Sequence, residues 1–185
     1  MIQICSAFII ALRYEGGWDR GLEHGDGRLM KGENREVIYS GGWFEGSICG
    51  TGTYIFPNGD KYVGEFRDGM RNGVGEYVMS DGTRYVGEWL NNQRHGKGVF
   101  TWSNGSYYDG EWENNCRHGK GVLDIVGGLR YEGNWSKNYM DGKGFAVMLF
   151  VFHYSHNIEC SLRSILADKP IKDHFGWDFG KEEGR

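Results

Sequence analysis

The sequence predicts an all-β protein, built as an elongated, single-layer antiparallel β-meander of six hairpins. Three observations predict this fold. Aromatic residues and glycines recur with one fixed period, short segments of each repeat alternate in polarity, and Asn-Gly, Asp-Gly or Gly-Gly dipeptides separate the repeats. In addition, 32 of the 185 residues are glycine, which is far above the usual share and unsuited to a thick aliphatic core.

A tyrosine begins each repeat. The second to sixth tyrosines of the series are evenly spaced, and only the interval between the first and the second is longer, by two residues: Tyr14, Tyr39, Tyr62, Tyr85, Tyr108 and Tyr131. Each tyrosine is followed two residues later by glycine and four residues later by an aromatic residue, in turn Trp18, Trp43, Phe66, Trp89, Trp112 and Trp135. Such a fixed period indicates a repeat protein, so we expect six units over residues 14–148.

Each repeat is expected to form one hairpin. The segments "YVGEW" and "GKGVF" alternate with period two and contain aromatic and β-branched residues, as β-strands do. The Asn-Gly type dipeptides predict two-residue type I′ turns, because both central residues of that turn need positive φ. The other connection, residues 90–95, is then a six-residue loop. This register places Tyr85 opposite Phe100, Gly87 opposite Gly98 and Trp89 opposite Gly96, so that large rings cover glycines.

The same register predicts ion pairs on the other face of the sheet. Glu88 is expected opposite Lys97, and Glu111 opposite Lys120, while Glu65 faces Val74. Cross-strand charge pairs of this kind contribute roughly 0.2 to 1 kcal/mol each. The lysines of the repeated "RHGKG" segments are therefore interpreted as structural residues.

Two sets of residues are candidates for binding a partner. The first is the aromatic face, whose alternative role is to form the core: Tyr39, Trp43, Tyr62, Phe66, Tyr85, Trp89, Tyr108, Trp112, Tyr131 and Trp135. The second is a basic edge of loop residues that recur with the period of the tyrosines, Arg71, Arg94 and Arg117. This edge could bind an acidic protein or anionic lipid head groups. The alternative interpretation is that the three arginines are solvated surface charges without a binding role.

The two ends of the chain depart from the repeat. Residues 1–13 are interpreted as an apolar N-terminal segment or a degenerate half-repeat, because "ALRYEG" at 11–16 is similar to "GLRYEG" at 128–133. A signal peptide is disfavoured, since a basic n-region and a clear cleavage site are missing. Residues 149–185 are expected to form a cap and a polar tail. One face of a helix would carry Ile158, Leu162, Ile165 and Leu166, which predicts a short capping helix over residues 158–166 that covers the last sheet edge.

Composition and motifs argue against several functional classes. A net charge of −4 disfavours nucleic acid as a partner. The four cysteines form no C-x-x-C pair, which favours free thiols in a reducing compartment. No catalytic motif is present, and histidines in equivalent loops should be roughly 9.5 Å apart, too far to share one zinc ion. We therefore expect no catalysis, no cofactor and no metal site.

The strings "YVGEWLNNQRHGKG" at 85–98 and "YDGEWENNCRHGKG" at 108–121 resemble the MORN repeat, and the resemblance covers about residues 14–147. The first repeat departs from it by the two extra residues before Tyr39 and by "GENREV" in place of an Asn-Gly turn, and the sixth by Asp141 where His95 and His118 stand. The resemblance implies an extended, curved antiparallel sheet that acts as a non-enzymatic interaction scaffold.

The resemblance also implies a cellular setting. The repeats are similar to those of radial spoke head proteins of motile cilia, so we expect a cytoplasmic, cytoskeletal protein of the cilium or flagellum axoneme, with axonemal or cytoskeletal protein partners and with a homodimer as a further option. One alternative is a peripheral membrane module that binds anionic lipid or phosphoinositide. Another is a regulatory fragment of a MORN-containing enzyme such as a lipid kinase.

Overall fold

The computed structural model describes the backbone of residues 11–154 and 157–167 and the side chains of residues 11–148. Thirteen strands form one antiparallel sheet in chain order, which confirms the predicted all-β meander. No helix in these ranges is long and apolar enough to cross a membrane. The strands are β1 Leu12–Asp19, β2 Leu22–Lys31, β3 Glu36–Phe44, β4 Ser47–Ile55, β5 Lys61–Arg67, β6 Met70–Val78, β7 Arg84–Leu90, β8 Gln93–Thr101, β9 Tyr107–Glu113, β10 Cys116–Ile125, β11 Leu129–Ser136, β12 Tyr139–Tyr154 and β13 Asn157–Ala167.

The turn within each repeat is shorter than predicted. Asn91 and Asn92 connect β7 to β8 as a two-residue turn, with φ angles of 48° and 68°. These positive φ values are those of a type I′ turn. The predicted six-residue loop over 90–95 was wrong, because asparagine itself tolerates the left-handed backbone and Gln93, Arg94 and His95 can join the strand.

The Asn-Gly turn between repeats is longer than predicted. Gly59 N–H donates to the Phe56 carbonyl oxygen at 3.0 Å, and Phe56 N–H donates to the Asp60 carbonyl oxygen at 2.9 Å. Gly59 has a positive φ of 89°, whereas Asn58 does not. The connection is therefore a three-residue hairpin loop, a type I turn closed by a left-handed glycine. Gly82 and Gly105 close equivalent turns.

The aromatic register was partly correct. Tyr85 pairs with Phe100 and Gly87 with Gly98, as predicted, but Trp89 pairs with Arg94. Because the turn has only two residues, the strands come back into step through a β-bulge that leaves Gly96 and Lys97 without direct partners in this pair. Trp89 instead lies opposite Gly73 of the preceding strand. The predicted contact of the Trp89 ring with a glycine therefore occurs between neighbouring repeats and not within one.

The predicted ion pairs Glu88–Lys97 and Glu111–Lys120 were wrong for the same reason. Glu88 lies opposite His95, and its Oε1 accepts a hydrogen bond from the backbone N–H of Lys97 at 2.9 Å. Glu111 Oε1 accepts from Lys120 N–H at 3.2 Å in the next repeat. These carboxylates satisfy backbone donors that the bulge leaves unpaired, while Lys97 lies opposite Glu111 of the following strand.

The predicted capping helix over 158–166 was also wrong. The segment lies in β13, which pairs antiparallel with β12 from Gly144↔Ala167 to Tyr154↔Asn157. A paired strand satisfies the open N–H and C=O groups of a sheet edge directly, which a helix cannot do. Residues 1–10 and the polar tail from residue 168 lie outside the described residues, so the predicted boundaries at residues 13 and 148 stay predictions.

Candidate functional site

Each repeat tyrosine packs flat on a pair of glycines. Tyr85 is 1% exposed, and its ring lies over Gly87 and Gly98 so closely that a Cβ on either glycine would overlap it. The Tyr85 hydroxyl donates to the Glu88 carbonyl oxygen at 3.0 Å. Burial raises the pKa of Tyr62 to about 12 and also raises the pKa of Tyr85. The tyrosines therefore stay neutral and serve the packing of the sheet.

The four later repeat tryptophans, Trp43, Trp89, Trp112 and Trp135, each join two repeats. The Trp89 ring lies edge-to-face against Tyr85 of its own repeat at 5.1 Å and against Tyr62 of the preceding repeat at 5.5 Å, measured between centroids. Its Nε1–H donates to the Gly75 carbonyl oxygen at 3.2 Å. Edge-to-face pairs add roughly 0.5 to 1.5 kcal/mol beyond the burial of area. The tyrosines and tryptophans thus form one continuous core along the aromatic face.

The Arg71 side chain locks its repeat to the following one. Its guanidinium carbon lies 4.4 Å from the centroid of the Trp89 ring, and its Nη2 donates to the Asn92 carbonyl oxygen at 3.0 Å. Arg71 N–H donates to Asn92 Oδ1 at 2.9 Å, and Asn92 N–H donates back to the Arg71 carbonyl oxygen at 3.0 Å. We call this set of contacts the Arg–Asn clamp.

The clamp recurs twice, and it corrects the predicted basic loop edge. Arg94 binds Asn115, and Arg117 binds Asn138, through the same side-chain and backbone contacts. Arg71, Arg94 and Arg117 lie in strands and are half-buried, because the short turn brings them onto the aromatic face. Burial lowers the pKa of Arg71. Their charge is directed into the array, against rings and turn carbonyls.

The ten aromatic candidates lie in the core. None is more than 8% exposed, and together they line the aromatic face from β3 to β11. Because no second layer exists in the described part of the chain, this row of rings supplies the packing that a second sheet would supply elsewhere. Contact of these ten residues with a partner stays a prediction.

The apolar surface next to this core is formed by residues that the sequence reasoning missed. Phe56, Met79, Trp102 and Ile125 recur with the same period as the tyrosines, so the spacing could have found them. They are half-buried against the core, as are Tyr54 and Tyr77. The Tyr54 and Phe56 ring centroids are 4.7 Å apart, and those of Phe56 and Tyr77 are 5.4 Å apart. We call these six residues the half-buried strip.

A buried carboxylate supports the strip. Asp60 is 7% exposed, and it accepts a hydrogen bond from the Tyr77 hydroxyl at 2.6 Å and another from Ser80 N–H at 3.0 Å. Burial disfavours the charged form, yet these hydrogen bonds lower the pKa of Asp60. In the following repeats Thr83 and Ser106 bind the next turn with a hydroxyl instead. Asp60 is therefore a structural group.

The histidines and cysteines form no metal site among the described residues. No group of three or more His, Cys, Asp and Glu side chains there could hold a metal ion. His118 Nδ1 lies 3.5 Å from Glu113 Oε2, and His95 Nδ1 is buried without a hydrogen-bond partner. Cys49 and Cys116 are free thiols.

A family model and curated relatives match the sequence of this chain. The model of the MORN repeat matches six segments that cover more than half of the chain: residues 14–30, 39–61, 62–84, 85–107, 108–130 and 131–146. Alsin from Homo sapiens, Pan troglodytes and Rattus norvegicus is 40% identical to this chain over 58 residues. The match covers 30% of this chain and only 4% of each Alsin chain, so it concerns one short part of a much longer protein.

Proposed function

Because this chain belongs to the MORN-repeat family, we propose that it is a non-enzymatic scaffold that binds partner proteins in a ciliary axoneme or another cytoskeletal assembly. The repeat is a non-catalytic module that commonly mediates contacts with proteins or membranes. We infer the radial spoke of motile cilia as this assembly from the resemblance of the repeats to those of radial spoke head proteins.

The observation that carries the proposal is the half-buried strip. Its aromatic and aliphatic side chains lie on a face without a second layer in the described residues, and they keep part of their surface open to solvent. Contiguous apolar surface of this kind is typical of sites that contact other proteins. The opposite face also exposes apolar side chains, such as Val74 and Val86, but charged residues such as Glu111 and Lys97 lie among them.

The alternative of a membrane-binding module rested mainly on the predicted basic loop edge, which the structure corrects. A lipid-binding surface would need guanidinium groups directed towards the head groups. Arg71, Arg94 and Arg117 instead bind the turn carbonyls of the next repeat and stack on its tryptophan. The net charge of −4 would also oppose an anionic surface.

Proximity labelling in ciliated cells tests the proposal. The chain fused to a biotin ligase is expected to label axonemal proteins. A Met79→Gln/Ile125→Gln variant of the strip should lose this labelling, whereas Val86→Gln, at a residue 39% exposed on the opposite face, should keep it. Circular dichroism and the unfolding midpoint would establish that all variants fold. Labelling of plasma-membrane proteins without axonemal ones would replace the proposal with the membrane module.

A further inference from the structure

The first strand leaves one edge of the sheet open. In the part of the chain that the structure describes, β1 pairs only with β2, whereas the far side of the sixth repeat is paired with β13. Trp18 on β1 is 59% exposed and Leu12 is 62% exposed, although every later repeat tryptophan is buried. An open edge with exposed apolar side chains is a template for another strand.

The boundaries between repeats indicate which strand would fit this edge. Where β6 meets β7, Gly75 lies opposite Gly87 in a continuous register. The bulge that follows Gly87 affects only the pairing with the next strand, β8. By the same geometry the free side of β1 is regular at Gly16, and a glycine is the fitting residue opposite it.

Among the described residues, the Trp18 ring has only one of the two tyrosine neighbours that later repeat tryptophans have. It contacts Tyr14 of its own repeat at 5.2 Å between centroids. Trp43, by comparison, contacts Tyr14 at 5.1 Å and Tyr39 at 5.4 Å. The free side of Trp18 therefore has room for one further aromatic ring at the usual edge-to-face distance.

We propose that β1 pairs antiparallel with β1 of a second copy of this chain, centred on Gly16. Gly16 then lies opposite Gly16 of the second copy, and Tyr14 lies opposite Trp18 of the second copy. On the polar face, Arg13 lies opposite Asp19 of the second copy. The contact is two-fold symmetric, so each pair occurs twice, and it does not depend on the cellular role proposed above.

Charge selects this register over its neighbours. A joint sheet that keeps one aromatic face allows shifts only in steps of two residues, because side chains alternate between faces. One step in one direction places Glu15 opposite Glu15 of the second copy, and one step in the other places Glu15 opposite Asp19. Like charges directly opposite each other destabilise a strand pair. Of these three registers only the Gly16-centred one pairs opposite charges, and a further step that places Arg13 opposite Glu15 would pair only residues 12–16.

The residues that would form the contact are accessible: the Asp19 side chain is 56% exposed, with Arg20 Nε at 4.0 Å from its Oδ1. Arg13 now binds Glu15 at 3.1 Å, but its side chain is 55% exposed, and Glu15 has a second partner in Arg35 at 3.7 Å. Arg13 can therefore turn to the second copy without leaving Glu15 unpaired. Because both strands are already held by their own β2, little conformational entropy is lost when they pair.

Sedimentation equilibrium of the full chain tests the proposal through a charge reversal. The wild type is expected to dimerise, and Arg13→Asp alone should raise the dimer dissociation constant about fivefold or more, since two attractive pairs become repulsive. Asp19→Arg alone should raise it less, because it makes the Glu15–Asp19 pair of the neighbouring register attractive. The double variant Arg13→Asp/Asp19→Arg should restore most of the affinity. Arg84→Asp is the matched control, because Arg84 precedes Tyr85 as Arg13 precedes Tyr14 and is also 55% exposed.

Two outcomes would overturn the proposal. A wild type that stays monomeric at every concentration would mean that the edge is closed in another way, for example by residues 1–10. A dimer that responds to Arg13→Asp no more than to Arg84→Asp would use another surface. Recovery in the double variant also separates the proposal from misfolding, because a folding defect of the single variants would persist when they are combined.

Discussion

The fourth and fifth repeats and the first repeat share one backbone plan but differ in how they bind their neighbours. Trp112 is 6% exposed, contacts tyrosines on both sides and is covered by Arg94 at 4.7 Å. Trp18 is 59% exposed and contacts one tyrosine. The comparison shows that the conformation of a repeat and its coupling to the next repeat are separate properties, encoded by different residues.

The coupling residues are missing from the first two repeats. The position of Arg71, Arg94 and Arg117 is occupied by Glu23 in the first repeat and Ile48 in the second. The backbone contact between turns is kept, since Gly46 N–H donates to the Glu23 carbonyl oxygen and Gly69 N–H to that of Ile48. The side-chain part of the clamp is absent there. In a repeat protein, whose stability is approximately a sum of repeat and interface contributions, the amino-terminal end should therefore open first.

The largest difference between the two regions is expected when the repeat tryptophan of each is removed. Trp112→Ala should lower the free energy of unfolding by about 3 to 5 kcal/mol, because it leaves a cavity between Tyr85 and Tyr108. Trp18→Ala should lower it by less than about 1 kcal/mol, since most of that ring already faces solvent. Urea denaturation followed by circular dichroism measures both values. Equal losses would show that exposure does not distinguish the two repeats.

Removal of one clamp should have the next largest effect. Arg94→Ala loses the cation–π contact with Trp112 and the hydrogen bond to the Asn115 carbonyl oxygen, so we expect a loss of about 1 to 2 kcal/mol. Lys97→Ala is the control, because this exposed lysine lies on the opposite face of the same strand. A double-mutant cycle with Asn115→Gly, which keeps the positive φ of the turn, would isolate the coupling. Strict additivity would mean that the two residues do not act together.

Asp60 makes the stability of its part of the array depend on pH. Its folded pKa is lowered from the ordinary 3.8, so its contribution to stability is present above pH 3.8 and is lost as the pH falls through the folded pKa. Asp60→Asn should therefore destabilise the protein by about 1 to 2 kcal/mol near neutral pH and by less in acid. Unfolding midpoints measured across this range test the claim.

The control for Asp60 is a change that the sequence itself makes elsewhere. Asp81→Asn removes the same kind of carboxylate from the next turn. The residues equivalent to Asp81 in the turns before and after it are already asparagines, Asn58 and Asn104. Asp81 Oδ1 accepts from Thr83 N–H, which an asparagine oxygen can also do. A loss of stability for Asp81→Asn as large as for Asp60→Asn would contradict the special role of the buried carboxylate.

The fold was predictable because it depends on the spacing of residues along the chain. The clamp was not predictable, since it depends on which conformation the turn within each repeat adopts. The fixed period of tyrosines and glycines determines the twelve strands of the six hairpins, β1 to β12, and the pairing of Gly87 with Gly98, both of which the structure has, whereas β13 lies beyond the periodic part of the sequence. The sequence "NNQRHG" permits either a six-residue loop or a two-residue turn followed by a bulge. That choice moves Arg94 from a solvated loop to the aromatic face, and local pattern alone does not decide it.

The position of the candidate site was not predicted from the sequence, for a related reason. Rings at the Tyr and Trp positions look alike as core or as binding surface, because a period of two identifies the face but not what covers it. The second row, which includes Phe56 and Trp102, changes residue type from repeat to repeat. A search for identical residues misses it, although its spacing is equally strict.

The smallest effect comes from building the clamp where it is absent. Ile48→Arg with Gly69→Asn would place the pair between the second and third repeats, against the ring of Phe66. Gly69 has a positive φ of 73°, which asparagine tolerates, and its N–H already donates to the Ile48 carbonyl oxygen at 2.9 Å. We expect a gain of about 0.5 to 1 kcal/mol, below that of a natural clamp because phenylalanine is a weaker cation–π partner than tryptophan. Gly69→Asn alone is the control, and amide exchange in β3 and β4 should slow only in the double variant. A gain from Gly69→Asn alone would assign the difference between the two regions to turn propensity and not to the clamp.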